Sequence, residues 1–375
     1  MVKYASKLVL APMVRAGELP SRLLALRHGC DLVWSPEIID KKLLQCRRLI
    51  NTKLNTIDYV TGSKDTLVFR SFPRDEAGKL IFQMGTASPE LARDAALKII
   101  QDVDGIDVNA GCPKHFSIHA GMGAALLQSP EKLCDILKAL VENVGKPNGK
   151  PISVKIRLLD DQENTFKLVE DLCQTGIQNL TVHCRTTPMR NREKPIRDYL
   201  KGIFEICQKY DVSLIMNGAI NDRNDFIKIR DELNLSKEVG GMIAEAAERN
   251  LSVFNPNPLT WFEVCKEYIQ IAKEFDNHIG NTKYMLTRIV PGKSKFFQLF
   301  AKCKYVDEIS YVASQIGPDG ELLEDPTPFL EERREREKLE KKKLNDSKSQ
   351  EKQRNNKRSM ETNSTNEIDT KKIKA

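Results

Sequence analysis

The chain reads as an α/β protein: a (β/α)8 TIM barrel followed by a small helical domain and a disordered charged tail. Three observations predict this. Eight short apolar runs alternate with helical patterns between residue 7 and about residue 250. Each run is apolar on both faces, as a parallel strand covered by helices must be. Side chains capable of chemistry stand at the C-terminal end of run after run, the end that a barrel gathers onto one rim. A doubly wound sheet would concentrate ligand contacts at one or two switch points instead.

The runs are KLVLAPM (7–13), DLVWSPE (31–37), KLIFQMG (79–85), GIDVNAG (105–111), ISVKIR (152–157), IQNLTVH (177–183), VSLIMNG (212–218) and VGGMIAE (239–245). Helical patterns cover 19–28, 89–101, 130–144, 164–175, a segment ending near Tyr210, and 224–233. The barrel is expected to occupy residues 1–255 with an insertion at 38–78. That insertion holds a helical stretch and a hairpin-like TLVFRSF, and is expected to cap part of the barrel mouth. After the NPNP turn at 255–258, four helical patterns without strands form a second domain, 256–325, in which Lys283, Arg288, Lys293, Lys295, Lys302 and Lys304 interleave with aromatic residues. This is either an ordinary amphipathic bundle with snorkelling lysines or a basic face for a phosphate backbone.

Residues 326–375 form the charged tail. From Glu331 onward it carries 15 Lys and Arg against 10 Asp and Glu, so it holds +5 of the chain's formal +7. Almost no aliphatic residue is available there to offset ordering entropy, although i to i+4 pairs in EERREREKLEKKKL favour a solvated charged helix. The basic clusters at 341–343 and 371–374 suit a plain solvated tail, nucleic-acid contact or nuclear import.

Composition excludes several classes. At 375 residues and 40% hydrophobic, the chain is too large for a disulfide-stapled scaffold. No stretch approaches the roughly 20 apolar residues of a membrane helix, and no apolar signal core precedes the first run. A soluble protein without membrane contact is expected, cytoplasmic with a nuclear share open, and monomeric. Nine cysteines without a CxxC pair suggest reduced thiols and no metal site.

The rim residues carry the chemistry. In NAGCPK (109–114), Cys112 sits between Gly and Pro on a loop after a strand, near Lys114, His115 and His119. Its thiol is placed to deliver a proton or to act as a nucleophile. Lys155 lies within an apolar strand, where a buried ammonium is too costly to serve packing, so it is expected to stabilise an anion on a ligand. Arg157 follows it, and His183 ends the sixth run as either a ligand or a satisfied core histidine. Asn217, Gly218 and Ala219 after the seventh strand, and Ala244 and Glu245 after the eighth, stand where barrels commonly hold a phosphate. Pro12, Met13 and Val14 follow the first strand, while Gln83 and Asn109 end the third and fourth; the LAPMVR segment alone reads equally as core and turn.

Taken together, LAPMVR, IFQMG, DVNAGCPK, GMGAALL, VKIR, TVHCR and MNGAI resemble, in order and spacing, the motifs of the tRNA-dihydrouridine synthases, flavin enzymes that reduce uridine in tRNA. The likeness runs over about residues 7–320. The segments 12–34, 109–127 and 276–284 are most similar to the eukaryotic class acting on uridine 20 of cytoplasmic tRNA. The resemblance implies FMN held by Pro12, Met13, Val14, Gln83, Lys155, His183, Asn217, Gly218, Ala219, Ala244 and Glu245, the last five at its phosphate. NADPH is the implied reductant, and tRNA the partner. It further implies that Cys112 protonates C5 of the uracil as hydride reaches C6, with Asn109 and Arg157 contacting the base.

Two departures stand out. The family commonly has Gly-Arg or Ala-Arg where this chain has Ala244 and Glu245, so Glu245 is expected to turn away from the phosphate. Animal members of the class add a double-stranded-RNA-binding domain, and residues 317–375 lack its length and pattern; grip on tRNA is expected from the helical domain, the insertion and the tail. Two other readings remain open at this level: a barrel flavoprotein acting on a free small molecule, and a catalytically silent RNA-binding protein.

Overall fold

The structure, a computed structural model, describes residues 2–371. All eight runs are parallel strands: β1 (Leu8–Leu10), β2 (Leu32–Trp34), β7 (Leu80–Gly85), β8 (Gly105–Ala110), β9 (Ile152–Leu158), β10 (Asn179–Thr186), β11 (Ser213–Asn217) and β12 (Gly240–Ile243). Neighbours pair in the order β2-β1-β12-β11-β10-β9-β8-β7, and Val33 opposite Leu80 joins β2 to β7 and closes the barrel. A short β3 (Ile38–Ile39) extends β7 beyond this ring. Helices start where the chain supplies caps: Ser88, Asp161 and Asp222 each accept a backbone N–H three residues on, and Thr260 with Glu263 forms a reciprocal capping box.

The barrel interior is polar at mid-height. Asp107 accepts from Gln83 Nε2 at 2.8 Å and from Ser153 Oγ at 2.6 Å, with all three residues buried. Tyr4 and Trp34 meet beside them at a tilt of 50°, with ring centroids 6.1 Å apart. Burial lifts the Asp107 carboxyl to about 6, with Ser153, Gln83 and Lys155 opposing that rise.

The insertion departs from expectation in form and in position. It is a three-stranded antiparallel sheet, β4 (Arg47–Asn51), β5 (Thr56–Thr61) and β6 (Thr66–Ser71), rather than a single hairpin. It covers the barrel's flank and reaches toward its N-terminal end, not the mouth. Arg48 grips both oxygens of Asp102, three residues before β8 begins, and Tyr59 donates to the same carboxylate at 2.6 Å. Phe69 meets Phe82 of β7 edge-on at 5.4 Å. Only the five-residue helix Asp40–Leu44 follows β3, so the outer face of β7 lacks a full covering helix. The apolar face of this sheet, with Tyr59 and Phe69 buried, takes its place, joined by the buried Phe72 just after β6. Arg22 anchors the arrangement through Glu76 at 2.6 Å and the carbonyls of Gly17 and Arg70, with both charged side chains fully buried.

Two compact units divide the chain, Met1–Ala301 and Lys302–Ala375. The first adds to the barrel the helices Trp261–Glu274 and Ile279–Ile289. In the second, the helix Val306–Ser314 is followed by a helix over Thr327–Lys371. The start of the latter is packed, not merely solvated: Leu330 is buried, and Arg334 reaches both oxygens of the fully buried Glu308, at 2.5 and 2.7 Å. Among the described residues, no helix is long and apolar enough to cross a membrane, and no group of three or more His, Cys, Asp or Glu is placed to hold a metal ion.

Candidate active site at the barrel mouth

Register fixes the centre of the site. Asn109 of β8 pairs with Lys155 of β9, and Arg157 of β9 pairs with His183 of β10. Lys155 and Arg157 are two residues apart on one strand, so both project to the same side as Ser153, which faces Asp107 inside the barrel.

A cavity of about 440 Å³ opens here, lined by Pro12, Lys155, His183, Asn217, Gly218, Ala219, Ala244 and Glu245 among the expected residues, and also by Arg185, Asn191 and Arg249. Gln83, Asn109, Cys112 and Arg157 do not line it; they belong to the β7–β9 side of the same rim. Met13 is buried beneath the first loop, whereas the Val14 side chain is 58% exposed. A larger groove of about 880 Å³ lies outside the barrel between the helices Pro130–Leu140 and Gln162–Cys173. Its walls carry Glu131, Asp135, Asp160, Asp161 and Asp171 against Lys138 and Lys167, a net negative lining that disfavours anionic ligands.

Lys155 is the buried cation that the sequence singles out. Burial and the nearby Arg157 guanidinium bring its ammonium down to about 8, partly countered by Asp107. It therefore remains mostly charged at neutral pH. Among the described residues nothing accepts a hydrogen bond from its Nζ, so its charge is left for a ligand. Arg157 is spoken for in part: Nε donates to the Gly111 carbonyl and Nη1 to the Thr186 carbonyl, both at 2.9 Å, tying the loops after β8 and β10 to β9.

His183 cannot share the positive role. Arg185 Nη1 lies 3.1 Å from its Nε2, and a guanidinium only donates, so Nε2 accepts and the ring proton resides on Nδ1. Burial, with Lys155, Arg157 and Arg185 around it, pushes the imidazole down to about 2. Arg185 is held in turn by the carbonyls of Glu193 and Asn191. The pairing of β10 with β9 shifts register between His183 and Thr186, and His183 and Arg185 both line the cavity.

Gly218 is required where it stands. Its φ is +122°, and a Cβ would come 3.2 Å from His183 and 3.4 Å from Arg185. Arg197 Nη2 donates to the carbonyls of Gly218 and Ala219 at 2.8 and 3.0 Å. Because the peptide units are planar and trans, the N–H groups that follow those carbonyls point away from Arg197. Glu245 bonds Arg249 four residues on at 2.7 Å, so its charge is neutralised within its own helical turn.

Cys112 is the one thiol of nine that is partly exposed; the other eight are buried. Asn109 Oδ1 accepts the N–H groups of Gly111 and Cys112, each at 3.0 Å, while its Nδ2 donates to Gln83 Oε1 at 3.3 Å. A chain of hydrogen bonds thus runs from Asp107 through Gln83 and Asn109 to the Cys112 backbone. Burial holds the thiol above its ordinary range, with the Glu37 charge adding to the rise and Lys114 and Ser117 opposing it. A protonated thiol is suited to giving a proton, not to nucleophilic attack.

Sequence reasoning assigned no role to Arg185, Arg197 or Arg249. Only Arg185 carried a signal, as the second residue after His183 on the same strand.

A closed barrel whose mouth sets a protonated thiol against an unpaired ammonium defines a barrel enzyme of acid–base and electrostatic chemistry. The family model "Dihydrouridine synthase (Dus)" matches residues 31–363, and the chain belongs to that family. It is 61% identical over 349 residues to the tRNA-dihydrouridine(20) synthase [NAD(P)+] of Saccharomyces cerevisiae, covering 90% of this chain and 91% of that protein. The Schizosaccharomyces pombe protein of the same name is 51% identical over 78% of this chain, which spans 61% of its length. A human tRNA-dihydrouridine(20a/20b) synthase [NAD(P)+]-like protein is 27% identical over 76% of this chain and 84% of its own.

Proposed function

We propose that this protein reduces a uridine of tRNA, position 20 of the D-loop, to 5,6-dihydrouridine, using FMN as its redox group and NADPH as reductant. The observation that carries this reading is the Cys112 thiol, kept protonated on the same rim as the unpaired Lys155 ammonium.

The residues present fit FMN. The cavity offers a cation with no acceptor among the described residues, a left-handed glycine turn whose carbonyls are drawn away by Arg197, and two arginines along the wall. Lys155 and the neutral His183 would meet the ring system, with Pro12 and Met13 against it. Asn217, Gly218, Ala219 and Ala244 would meet the phosphate. Glu245, paired with Arg249, leaves net positive charge there through Arg185. When bound, FMN supplies the hydride that reaches C6 of the base.

The chain's own groups complete the reaction. Hydride addition leaves C5 basic, and the Cys112 thiol delivers its proton to C5 from the loop that Asn109 fixes. Asn109 and Arg157 keep their expected role near the base through the hydrogens that Gly111, Thr186 and Gln83 leave unused. Lys155 stabilises negative charge that develops on the bound ring. For tRNA, the first barrel loop offers Arg15, whose guanidinium lies over the Tyr284 ring at 4.2 Å, on the helix that also carries Lys283; Arg288 of that helix is paired with Glu248.

The test is spectroscopic. Purified protein should carry a flavin spectrum that NADPH bleaches and that tRNA lacking dihydrouridine restores, with dihydrouridine found afterwards at position 20. A colourless protein, or recovery of colour with no change in the tRNA, would remove this reading.

A further inference from the structure

Glu37 follows β2 on the rim, and neither packing nor the roles above account for it. Its Oε1 is sealed from solvent and has no hydrogen-bond partner among the described residues. An unmade bond of this kind costs about 1–3 kcal/mol, so an apolar side chain would serve stability better. The space is nevertheless shaped for a carboxyl. Gly85 ends β7 directly against it, and a Cβ there would stand 2.6 Å from Oε1 and 3.3 Å from the carboxyl carbon.

The surroundings point to Cys112. The Glu37 carboxyl faces the Asn109 amide, and Asn109 is the residue that holds the Cys112 N–H. Strand register supports this placement: Met84 of β7 pairs with Val108 of β8, so Gly85, against which the carboxyl rests, stands beside Asn109, and the Glu37 charge adds to the rise of the Cys112 thiol.

We propose that Glu37 is the proton reserve of Cys112, returning a proton to the sulfur after each reduction. The inference rests on the reading of Cys112 as the acid that protonates uracil C5. In that step the C5–H bond forms as the S–H bond breaks, leaving a thiolate. The Glu37 O–H bond then breaks as a new S–H bond forms, and water at the mouth reprotonates the carboxylate. No electrons change hands in this second leg.

The order of affinities drives the transfer. Burial lifts Glu37 to about 7 against the opposing Asn109 amide, so a large share is protonated at neutral pH. Cys112 is held above the ordinary thiol value by burial and by Glu37, with Lys114 and Ser117 acting the other way, so its thiolate takes the proton from a carboxylic acid.

The test uses the full flavin-loaded chain and the Glu37→Gln variant, which keeps the shape and removes the acid. Pre-reduced protein is given one equivalent of unmodified tRNA, and steady-state turnover with NADPH is measured beside it. The ratio of steady-state to single-turnover rate should fall on the order of tenfold in Glu37→Gln, and formate should raise the steady-state rate of Glu37→Ala. Without tRNA, alkylation of Cys112 by iodoacetamide should shift to lower pH in Glu37→Gln, because a negative charge beside the sulfur is gone. An unchanged ratio, or an unmoved alkylation profile, overturns the proposal. Equal loss in both rates overturns it as well, assigning Glu37 to substrate contact or structure. If pre-reduced wild-type protein leaves uridine intact, the proposed function itself fails, a result distinct from normal turnover by Glu37→Gln.

Discussion

The Arg185 guanidinium lies 3.1 Å from Nε2 of His183, two residues back along the same strand, and fixes that histidine as a neutral acceptor. Nitrogen NMR should show His183 neutral, with its proton on Nδ1, well below its ordinary value of 6.5. The folded chain refuses a proton that the unfolded chain accepts. Stability is therefore lost as pH falls below about 6.5 toward the folded value, at about 1.4 kcal/mol per pH unit from this group. His183→Asn should flatten that part of the stability–pH curve. An unchanged curve would show that His183 titrates normally in the folded protein.

Lys155→Met should separate stability from binding. Lys155 is largely desolvated at the cavity wall, with no acceptor among the described residues, so removing its charge should stabilise the flavin-free protein, on the order of 1 kcal/mol by denaturant unfolding. The same change should lower flavin occupancy and uridine reduction. A variant that stays fully yellow and active would place the lysine outside the chemistry.

Gly123→Ala probes the loop that presents the thiol. Gly123 has φ +59°, and a Cβ would meet the Cys112 carbonyl at 2.6 Å and Ser117 Oγ at 2.4 Å. The barrel strands should survive while the loop shifts. The expected result is a loss of about 1–3 kcal/mol together with a fall in activity at unchanged flavin content. Full activity would mean that the observed loop conformation is not the one that delivers the proton.

The parts legible in the sequence were those governed by local rules. Eight strands appeared as apolar runs because helices bury them from outside and neighbouring side chains from inside, and helices such as Pro89–Ile99 and Arg223–Glu232 announced themselves through Ser88 and Asp222. The insertion was misread because RRLIN, the future β4, is polar and half exposed, with no alternation to mark a strand. Its resting place was invisible for another reason: the Arg48–Asp102 grip joins residues 54 apart, and no sequence pattern encodes it. Cys112, Lys155 and His183 were found because each side chain is anomalous in its setting. Arg185 and Arg197 looked like surface arginines, since their carbonyl partners come from irregular loops.

The tail should divide at about residue 340. Ending the chain after Glu340 keeps Arg333, Arg334 and Glu337 on the helix Val306–Ser314 and the turn before it. Folding should be unaffected, while tRNA binding weakens modestly and its salt dependence flattens as lysines are lost. Ending it after Leu330 strands Glu308, which is fully buried, and should cost on the order of 2 kcal/mol, less than a wholly enclosed pair because Arg334 is partly exposed. Equal melting temperatures for the two truncations would contradict this division.

The most direct measurement compares pre-reduced wild-type and Cys112→Ala proteins on a tRNA transcript free of modification, with the nucleosides weighed after a single turnover. Wild-type protein should convert one uridine to a product heavier by two hydrogens. The alanine variant should keep its reduced flavin but form that product about 100-fold more slowly, the usual scale for loss of a positioned acid. Equal rates for the two proteins would contradict the account, because another group would then be protonating the base.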